Sequence, residues 1–399
     1  MSEMTTSGSI PHIHDALWQA QLLRSALQSD KVRVGYFIGA GCPLGIYDEN
    51  GESSLKLIPD VNGLTIKVRQ RILETDPIRY PEEPLIPCWD KLNQSCKEGG
   101  IESPNVEDLL SELRTLSSRR GTSDIDGISK KTLQALDNEI CSHIAAEVGK
   151  PLPTHRCSYN RLASWVGGLQ RVAPVELFTT NYDLLLEEAL EQQRVPHFDG
   201  FVGSHEPFFD LSSIEEDVIP QRWTRLWKLH GSINWQRRED GTVFRVSNKA
   251  AVGKAMIYPS HLKYDQSRRM PYLAMLDRLR AFFRGGRNNM GFGPPVLVVC
   301  GYSFSDIHLN EVLLEGLASN QAAQCFALAY TPLADSQKAI ELAVRYPNLT
   351  VIALDGAVVG TKIGKYQFWP SPASSNEPWL RTDLISSGAD TQPQYLPSS

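Results

Sequence analysis

Residues 32–41 read VRVGYFIGAG, an apolar run that is closed by a glycine turn. This pattern predicts a buried strand over 32–38. Three other apolar runs also end in a short polar motif, in PVELFTTNYD (174–183), RLWKLHGS (225–232) and PPVLVVCGYS (294–303). In open α/β sheets, ligands bind outside the carboxyl ends of the strands. The four motifs therefore predict one site formed by several strand ends.

Helical and strand patterns alternate over much of the chain. Apolar spacing predicts a helix over 12–29, and further helices follow Asp183 and Asp306. Alternating strands and helices are typical of a doubly wound parallel sheet with right-handed crossovers, a Rossmann-like α/β fold. The other predicted elements are short strands near 243–260, a helix over 271–285, strands over 325–330 and 349–355, and a helix over 333–345 between these two.

Residues 61–165 differ from the rest of the chain because their helical patterns are not followed by a strand. They predict a helical insertion over the sheet, whose core then comes from about 30–60, 174–235 and 295–355. We expect residues 1–365 to form one domain. Residues 366–399 are rich in Pro and Ser, and we expect a loosely held tail there.

Composition restricts the classes of protein to which the chain can belong. It has 399 residues, 41% of them hydrophobic, which suffices for a large core, and a net charge of −6, which argues against binding nucleic acid through overall charge. Local basic runs at Arg268-Arg269 and Arg278-Leu279-Arg280 are the alternative. No signal peptide or run of about eighteen apolar residues is present, so we expect a cytoplasmic protein that binds no membrane.

Cysteine usage agrees with a reducing compartment. The seven cysteines are scattered and include no CxxC pair. This set fits neither a disulfide framework nor a zinc ribbon, and we expect no zinc module and no bound metal.

The first motif, Gly39-Ala40-Gly41, offers a turn without bulky side chains. Backbone N–H groups there could close on a diphosphate, because a Cβ at either glycine would block the approach. The spacing departs from GxGxxG, since Cys42 and Pro43 follow. A plain tight turn is the alternative interpretation.

The second and third motifs place an amide and an imidazole at strand ends. Asn181 could orient a water or a ribose hydroxyl, whereas Asp183 is the expected cap of the following helix. His230 could act in catalysis, and Gly231 leaves room beside it. The alternative is that His230 is a structural histidine.

The fourth motif, Gly301-Tyr302-Ser303, precedes a helix that Asp306 is expected to cap. A helix amino end attracts anionic or ribose oxygens. A capped turn without a ligand would explain Asp306 and part of Ser303.

In this order, the motifs resemble those of the sirtuin family, especially its bacterial defence-associated branch. GAG at 39–41 is similar to the sirtuin GAG turn, TTNYD at 179–183 to the TQNID-type motif, LHG at 229–231 to the catalytic His-Gly, and GYS at 301–303 to the GTS turn. Ile58-Pro59-Asp60 resembles the GIPD segment of the cofactor loop, for which Gly45-Ile46-Tyr47-Asp48 is a poorer candidate. Two features depart from the family: Cys42-Pro43 replaces the serine after GAG, and the zinc cysteines are absent.

The resemblance implies NAD as the substrate and water as the second substrate, because a helical insertion stands where deacylases have their zinc module. Asn181 would position the water and His230 would act as general base, through an oxocarbenium-like state. Asp60, or alternatively Asp48, would close the nicotinamide end. The remaining residues expected to contact the cofactor are Gly39, Ala40, Gly41, Cys42, Thr180, Asp183, Gly301, Tyr302, Ser303 and Asp306.

The resemblance also implies a role in antiphage defence and a separate partner such as a HerA-like ATPase. We expect a homo-oligomer in which the apolar face of helix 12–29 packs on another copy or on a partner. The alternative is that this helix packs on its own sheet.

Three other functions remain open at this point. One is a protein deacylase or ADP-ribosyltransferase on the same fold. Another is a non-catalytic sensor that binds NAD or ADP-ribose. The third is an NAD dehydrogenase, which the glycine spacing disfavours.

Overall fold

The computed structural model describes residues 12–47, 56–118, 128–216, 218–220, 222–238, 240–246, 256–257, 271–284 and 293–366. Three expectations fall outside these ranges. They concern the tail from 367 onward, the basic pair Arg268-Arg269, and Asp48 as a cofactor-loop residue.

A mixed sheet of ten strands forms the centre of the molecule, in the order β1-β16-β15-β14-β13-β12-β2-β3-β7-β4. The seven strands from β14 to β4 run parallel, and the hairpin of β15 and β16 is antiparallel at one side. The strands are β1 (His12–His14), β2 (Val32–Ile38), β3 (Glu176–Thr179), β4 (His197–Phe198), β7 (Thr224–Lys228), β12 (Gly293–Cys300), β13 (Gln324–Leu328), β14 (Leu349–Ile352), β15 (Gly356–Val359) and β16 (Lys362–Tyr366).

Helices cover both faces of this sheet, as a doubly wound fold requires. Alternation along β2 sends Tyr36 and Ile38 into one core and Phe37 into the other. The first face is covered by α1 (Ala16–Gln28), α2 (Val61–Arg79), α3 (Leu85–Glu98), α4 (Val106–Ser118), α5 (Lys130–Val148), α6 (Ser158–Gly168) and α7 (Leu185–Gln192). The second is covered by α8 (Leu211–Glu216), α9 (Tyr272–Arg284), α10 (Ile307–Ser319) and α11 (Gln337–Ala343).

Short strands form two small sheets beside β7. One contains β5 (Phe201–Val202), β6 (Phe208–Phe209), β9 (Trp235–Arg237) and β10 (Val243–Arg245), in the order β5-β6-β10-β9. The other pairs β8 (Gly231–Ser232) with β11 (Met256–Ile257). The second pairing fixes the chain directly after His230.

The structure corrects the prediction of one helix over 12–29. Residues 12–14 form β1, which pairs with β16 some 350 residues later, as in the register of His12 with Gly364. The helix begins only at Ala16, because Asp15 caps it by accepting a hydrogen bond from the Trp18 N–H at 3.0 Å. The inner side of this helix packs on its own sheet through Leu23, which is buried.

The hairpin of β15 and β16 was not predicted from the sequence. Its turn is Gly360-Thr361, and both residues have positive φ angles, 53° and 72°. A two-residue turn of this kind matches the twist of paired strands, but a threonine with positive φ is uncommon. The local sequence therefore gave no ordinary turn signal.

Candidate functional site

The register of the sheet brings the four motifs to one edge. Cys300 pairs with Ile38, Ile38 with Thr179, and Thr179 with Lys228, so these four residues form a row across four strands. Adjacent strands lie about 4.8 Å apart. The motifs that follow these residues therefore leave the sheet side by side. Chain order also reverses between β2 and β12, which is where ligands bind in doubly wound sheets.

Gly39 and Gly41 pack against Gly301, which lies across the β2–β12 junction. A Cβ on Gly39 would overlap the Gly301 carbonyl oxygen, and one on Gly41 would lie 2.9 Å from Gly301 Cα. Gly301 itself has a φ of 62°, and a Cβ there would overlap Cys42. Close contact between two backbones therefore requires these glycines.

Two amide groups of the GAG turn, those of Gly39 and Gly41, are already engaged. The Gly39 N–H donates to the Cys300 carbonyl at 2.8 Å, the Gly41 N–H to the Gly301 carbonyl at 2.8 Å, and the Cys42 N–H to the Gly39 carbonyl at 3.1 Å. The N–H groups of Gly39 and Gly41 are therefore used within the protein, and contact of the turn with a diphosphate stays a prediction. The turn contributes shape, and its exposed residues, Ala40 and Gly41, lie on the outer side of the crevice.

Asn181 is buried at the end of β3 and is held from two sides. Its N–H donates to Thr179 Oγ1 at 3.0 Å, and its Nδ2 donates to the Gly39 carbonyl at 3.3 Å. Its Oδ1 is also buried and has no hydrogen-bond partner among the described residues. Since Nδ2 fixes the carboxamide, this oxygen is a positioned acceptor for a group that donates a hydrogen bond.

His230 is buried at the end of β7 and pairs with Asp306. Its Nε2 lies 3.1 Å from Asp306 Oδ2. Burial raises the pKa of Asp306, but the hydrogen bond and charge of His230 and the Leu309 N–H outweigh it, so this pKa lies below its ordinary value. An ionised Asp306 requires the proton on Nε2 and leaves the lone pair on Nδ1. The pair can therefore present His230 as a base.

Asp306 also caps α10, as the sequence predicted. Its Oδ1 accepts from the N–H groups of His308 at 3.0 Å and Leu309 at 3.2 Å. One carboxylate thus joins the start of α10 to the histidine on β7. Asp306 was expected to cap α10 and to contact the cofactor. The structure shows the cap directly, and it also shows a contact with the catalytic candidate His230.

Asp183 lies in a buried charged group. Its Oδ1 accepts from the Leu185 N–H at 3.0 Å, and Lys228 donates to its backbone carbonyl and to Glu187 Oε1, the latter at 2.9 Å. Burial raises the pKa of Asp183 to about 6, although the Lys228 charge acts in the opposite direction. These contacts fix the start of α7 against β7, so the role of Asp183 in the structure is local support of the helix.

Four further residues were expected to contact the cofactor, and they differ in burial and in hydrogen bonding: Thr180, Tyr302, Ser303 and Cys42. The Thr180 N–H donates to the Ile38 carbonyl at 3.3 Å, and the Tyr302 hydroxyl donates to Asn310 Oδ1 at 2.9 Å and the Asp306 carbonyl at 3.2 Å. Ser303 is exposed and bonds Ser305. Burial raises the pKa of the Cys42 thiol to about 12, so it stays protonated and is a poor nucleophile.

Asp60 lies at the start of α2, where it acts as a cap. Its exposed side chain accepts from the Gly63 N–H at 2.8 Å. In the described part of the chain, no hydrogen bond joins it to Asn181 or His230. Capping of α2 is the role that the structure shows for Asp60, and its contact with the nicotinamide end stays a prediction.

Sequence reasoning gave no role to three groups, which lie on the loop after β3, on α6 and on β7. The Tyr182 hydroxyl donates to Glu107 Oε1 of α4 at 2.9 Å, and the Tyr182 ring lies 6.5 Å from the His230 ring. Tyr159 of α6 is buried close to Asn181. Lys228 had a visible signal, because a lysine inside an apolar strand needs a buried partner. Tyr182 lies inside the TTNYD motif, whereas nothing in the sequence marked Tyr159.

Neither a metal-binding cluster nor a helix that could span a membrane is found among the described residues. No cluster of three or more His, Cys, Asp or Glu side chains there could hold a metal ion. None of the described helices combines the length and apolar character that crossing a membrane requires.

Comparison with known proteins gives one family match. Residues 175–352 match the family model of the SIR2-like domain. This segment contains Asn181, His230 and the residues from Gly301 to Asp306, but not the GAG turn or Asp60. This segment of the chain is therefore similar to SIR2-like domains.

Other comparisons are more distant. A solved chain described as "Structural Basis for the Mechanism and Regulation of Sir2 Enzymes" is similar at 13% identity and a TM-score of 0.35, over 79% of this chain and 88% of that chain. A search of the curated proteins finds no match.

Proposed function

We propose that this chain hydrolyses NAD to nicotinamide and ADP-ribose. One observation carries the proposal. A buried amide oxygen on Asn181, without a hydrogen-bond partner in the described part of the chain, and a His230–Asp306 pair lie at the ends of neighbouring strands, within the segment that matches the SIR2-like domain. A SIR2-like domain implies use of NAD.

The reaction needs a positioned water and a base. The bond between C1′ of the ribose and the nicotinamide nitrogen breaks, and its electron pair stays on that nitrogen. The water oxygen bonds to C1′ while its proton passes to a base. Asn181 Oδ1 is suited to accept a hydrogen bond from the water, and Nδ1 of His230 to take the proton.

The residues fit NAD in part. Asn181 and His230 supply an acceptor and a base at the ends of β3 and β7, on the same edge of the sheet as the switch point between β2 and β12. The Gly39 and Gly41 N–H groups are engaged within the protein and are not free to bind the phosphates. We therefore assign recognition of the phosphates and ribose to the exposed sides of the loops at Ala40, Gly41 and Ser303.

The direct test is chromatography of NAD incubated with the purified full chain. We expect nicotinamide and ADP-ribose in equal amounts, or a cyclic form of the latter. Asn181→Ala should lose more than about 10²-fold in rate, the usual effect of removing one preorganised polar group. His230→Ala should be similarly inactive but folded, and His155→Ala, at an exposed histidine, serves as control. Full activity of Asn181→Ala would contradict the assignment of Asn181 as the residue that positions the attacking water.

A deacylase or ADP-ribosyltransferase is the second candidate, since it would use the same residues. It predicts product only when a peptide or protein acceptor is added. The same assay, run with and without an acyl-lysine peptide, separates the two activities.

The biological setting is part of the proposal and depends on the resemblance to the defence-associated branch. We propose that the chain is an effector that depletes NAD during phage infection. Its activity would be controlled by assembly with further copies or with a HerA-like ATPase. On α1, Leu17 and Trp18 are 57% and 56% exposed, although its inner side packs on the sheet. This exposed pair supports an interface on the outer face of α1.

A further inference from the structure

Tyr182 joins the loop after β3 to the helical layer that α2 to α6 form on the first face of the sheet. The residue is buried, and its hydroxyl donates a hydrogen bond to Glu107 Oε1 of α4 at 2.9 Å. Burial raises the pKa of Tyr182 well above its ordinary value, and the charge of Glu107 acts in the same direction. The hydroxyl therefore stays protonated, and its bond to a carboxylate is of the strong, charge-assisted kind.

The backbone of Tyr182 holds the chain that follows His230. Its carbonyl accepts hydrogen bonds from the Ile233 N–H at 3.1 Å and from Ser232 Oγ at 3.5 Å. The Tyr182 ring lies next to the imidazole, with 6.5 Å between the ring centroids and 35° between the ring planes. One residue thus connects Glu107 on α4 with the segment that carries His230.

The chain before His230 is bonded to the same region, residues 179–183. The Leu229 N–H donates to the Thr179 carbonyl at 2.8 Å, and Lys228 Nζ donates to the Asp183 carbonyl. Hydrogen bonds to residues 179–183 therefore lie on both sides of His230. Because of this, a shift of the loop after β3 also shifts the imidazole.

The α4 helix is in turn bonded to its neighbours in the helical layer. Hydrogen bonds join it to α2 through Val106 and Thr65 at 2.9 Å, to α3 through Glu112 and Ser95 at 2.8 Å, and to α5 through Arg114 and Asp137 at 2.9 Å. A displacement of α2, α3 or α5 therefore acts on α4 and on the carboxylate of Glu107.

We propose that Tyr182 is a positioning residue through which the helical layer sets the place of His230, with Glu107 as its anchor on α4. The inference rests on the proposed role of His230 in NAD hydrolysis, and it adds a route by which that activity is regulated. A further copy or a partner that displaces the helical layer would lower the rate without touching NAD.

The test uses two variants of the full chain that break the same contact from opposite sides. Tyr182→Phe removes the hydroxyl and keeps the ring, and Glu107→Ala removes the acceptor. Glu107→Gln keeps an oxygen that can accept from the hydroxyl and is the conservative variant. Glu112→Ala is the matched control, because Glu112 is also a half-buried glutamate on α4 that accepts one side-chain hydrogen bond, from Ser95.

The first measurement is the rate of NAD cleavage, taken well below the melting temperature of every variant. We expect kcat to fall by about 10-fold in Tyr182→Phe and in Glu107→Ala, because a displacement of 1 Å at a catalytic group can cost about 10²-fold. KM should change by less than about 2-fold, since the lost contact does not bind substrate. The double variant should be no slower than either single one. Glu107→Gln and Glu112→Ala should keep the wild-type rate within about 2-fold.

The second measurement follows His230 without any activity, by NMR of the full chain labelled with ¹⁵N-histidine. The His230 ring signals are assigned by their loss in His230→Ala, and they report the tautomer and surroundings of the imidazole. Tyr182→Phe and Glu107→Ala should change these signals in the same way. Glu112→Ala should leave them unchanged.

Wild-type kcat in Tyr182→Phe, or an equal loss of kcat in Glu112→Ala, would overturn the inference and leave the proposed function intact. A loss of rate that only follows the unfolded fraction would have the same meaning. If the wild-type chain does not cleave NAD, the proposed function fails, and the His230 signals then decide the inference. A change shared by Tyr182→Phe and Glu107→Ala would support the link from α4 to His230, and unchanged signals would refute it.

Discussion

The contact between His230 and Asp306 allows a sharp test of the catalytic assignment, through Asp306→Asn. An asparagine keeps the shape of the side chain and can still cap α10 through its oxygen. It removes the charge that holds the proton on Nε2 of His230. An amide NH₂ facing Nε2 would favour the other tautomer, in which Nδ1 carries the proton and cannot act as a base.

The expected magnitudes follow from the contacts of this carboxylate, whose side chain is 7% exposed. A hydrogen bond to a charged group contributes about 1.5–3 kcal/mol and a neutral one about 0.5–1.5 kcal/mol, so Asp306→Asn should lower the free energy of unfolding by about 1 kcal/mol. Asp306→Ala also loses the cap, worth about 0.5–2 kcal/mol, and should lose about 2–5 kcal/mol in total. The rate of NAD cleavage should fall by about 10²-fold or more in both variants.

The dependence on pH gives a second measurement of the same contact. The pKa of Asp306 lies below its ordinary 3.8 in the folded protein, so its ionised form stabilises the fold. The stability difference between wild type and Asp306→Asn should be fully present above pH 3.8 and disappear as pH falls through the folded pKa. Chemical unfolding at several pH values measures it.

Asp15→Asn is the matched control, since Asp15 caps α1 without a histidine partner. It should leave the rate unchanged. An Asp306→Asn variant with wild-type rate would refute the reasoning, because Asp306 would then be a helix cap alone. A variant that loses activity only in proportion to its unfolded fraction would lead to the same conclusion.

Three further predictions concern charge, metal and assembly. The pKa of Asp183 is raised from 3.8 to about 6, so its ionised form destabilises the fold above pH 6. Asp183→Asn should therefore raise the free energy of unfolding by about 1–3 kcal/mol at pH 8, and this gain should fade as pH falls from 6 to 3.8. Equal stability of the two proteins at pH 8 would contradict this prediction. Elemental analysis should find no stoichiometric zinc, and about one zinc per chain would revive the deacylase alternative. Light scattering should show a homo-oligomer at micromolar concentration that Trp18→Glu weakens; a monomer whose full activity survives deletion of residues 1–29 would exclude the interface.

The motifs at Gly39-Ala40-Gly41 and at Gly301 show that a glycine pattern can be predicted correctly while its physical cause differs from the expected one. The sequence predicts that Gly39 and Gly41 need space above their backbone, either for a diphosphate or within a plain tight turn. In the structure it contains the backbone of Gly301, which is 260 residues away along the chain. Sequence spacing carries no information about which strand lies beside which, so the partner of a close approach has to come from the topology.

Strand periodicity determined the parallel core, because a buried strand requires an apolar run whatever its neighbours are. The sequence by itself thus located β2, β3, β7 and β12, and the polar residues that follow them. It could not predict β1, whose pairing with β16 depends on a long-range contact.

Tertiary structure alone decided which polar groups meet. It paired His230 with Asp306 and left the buried amide oxygen of Asn181 without a hydrogen-bond partner among the residues that the structure describes. The physical reason is that hydrogen bonds and pKa shifts depend on distances of a few ångströms between residues far apart in sequence. Such distances are set by strand order and helix packing, whereas residue type and local spacing leave them undetermined.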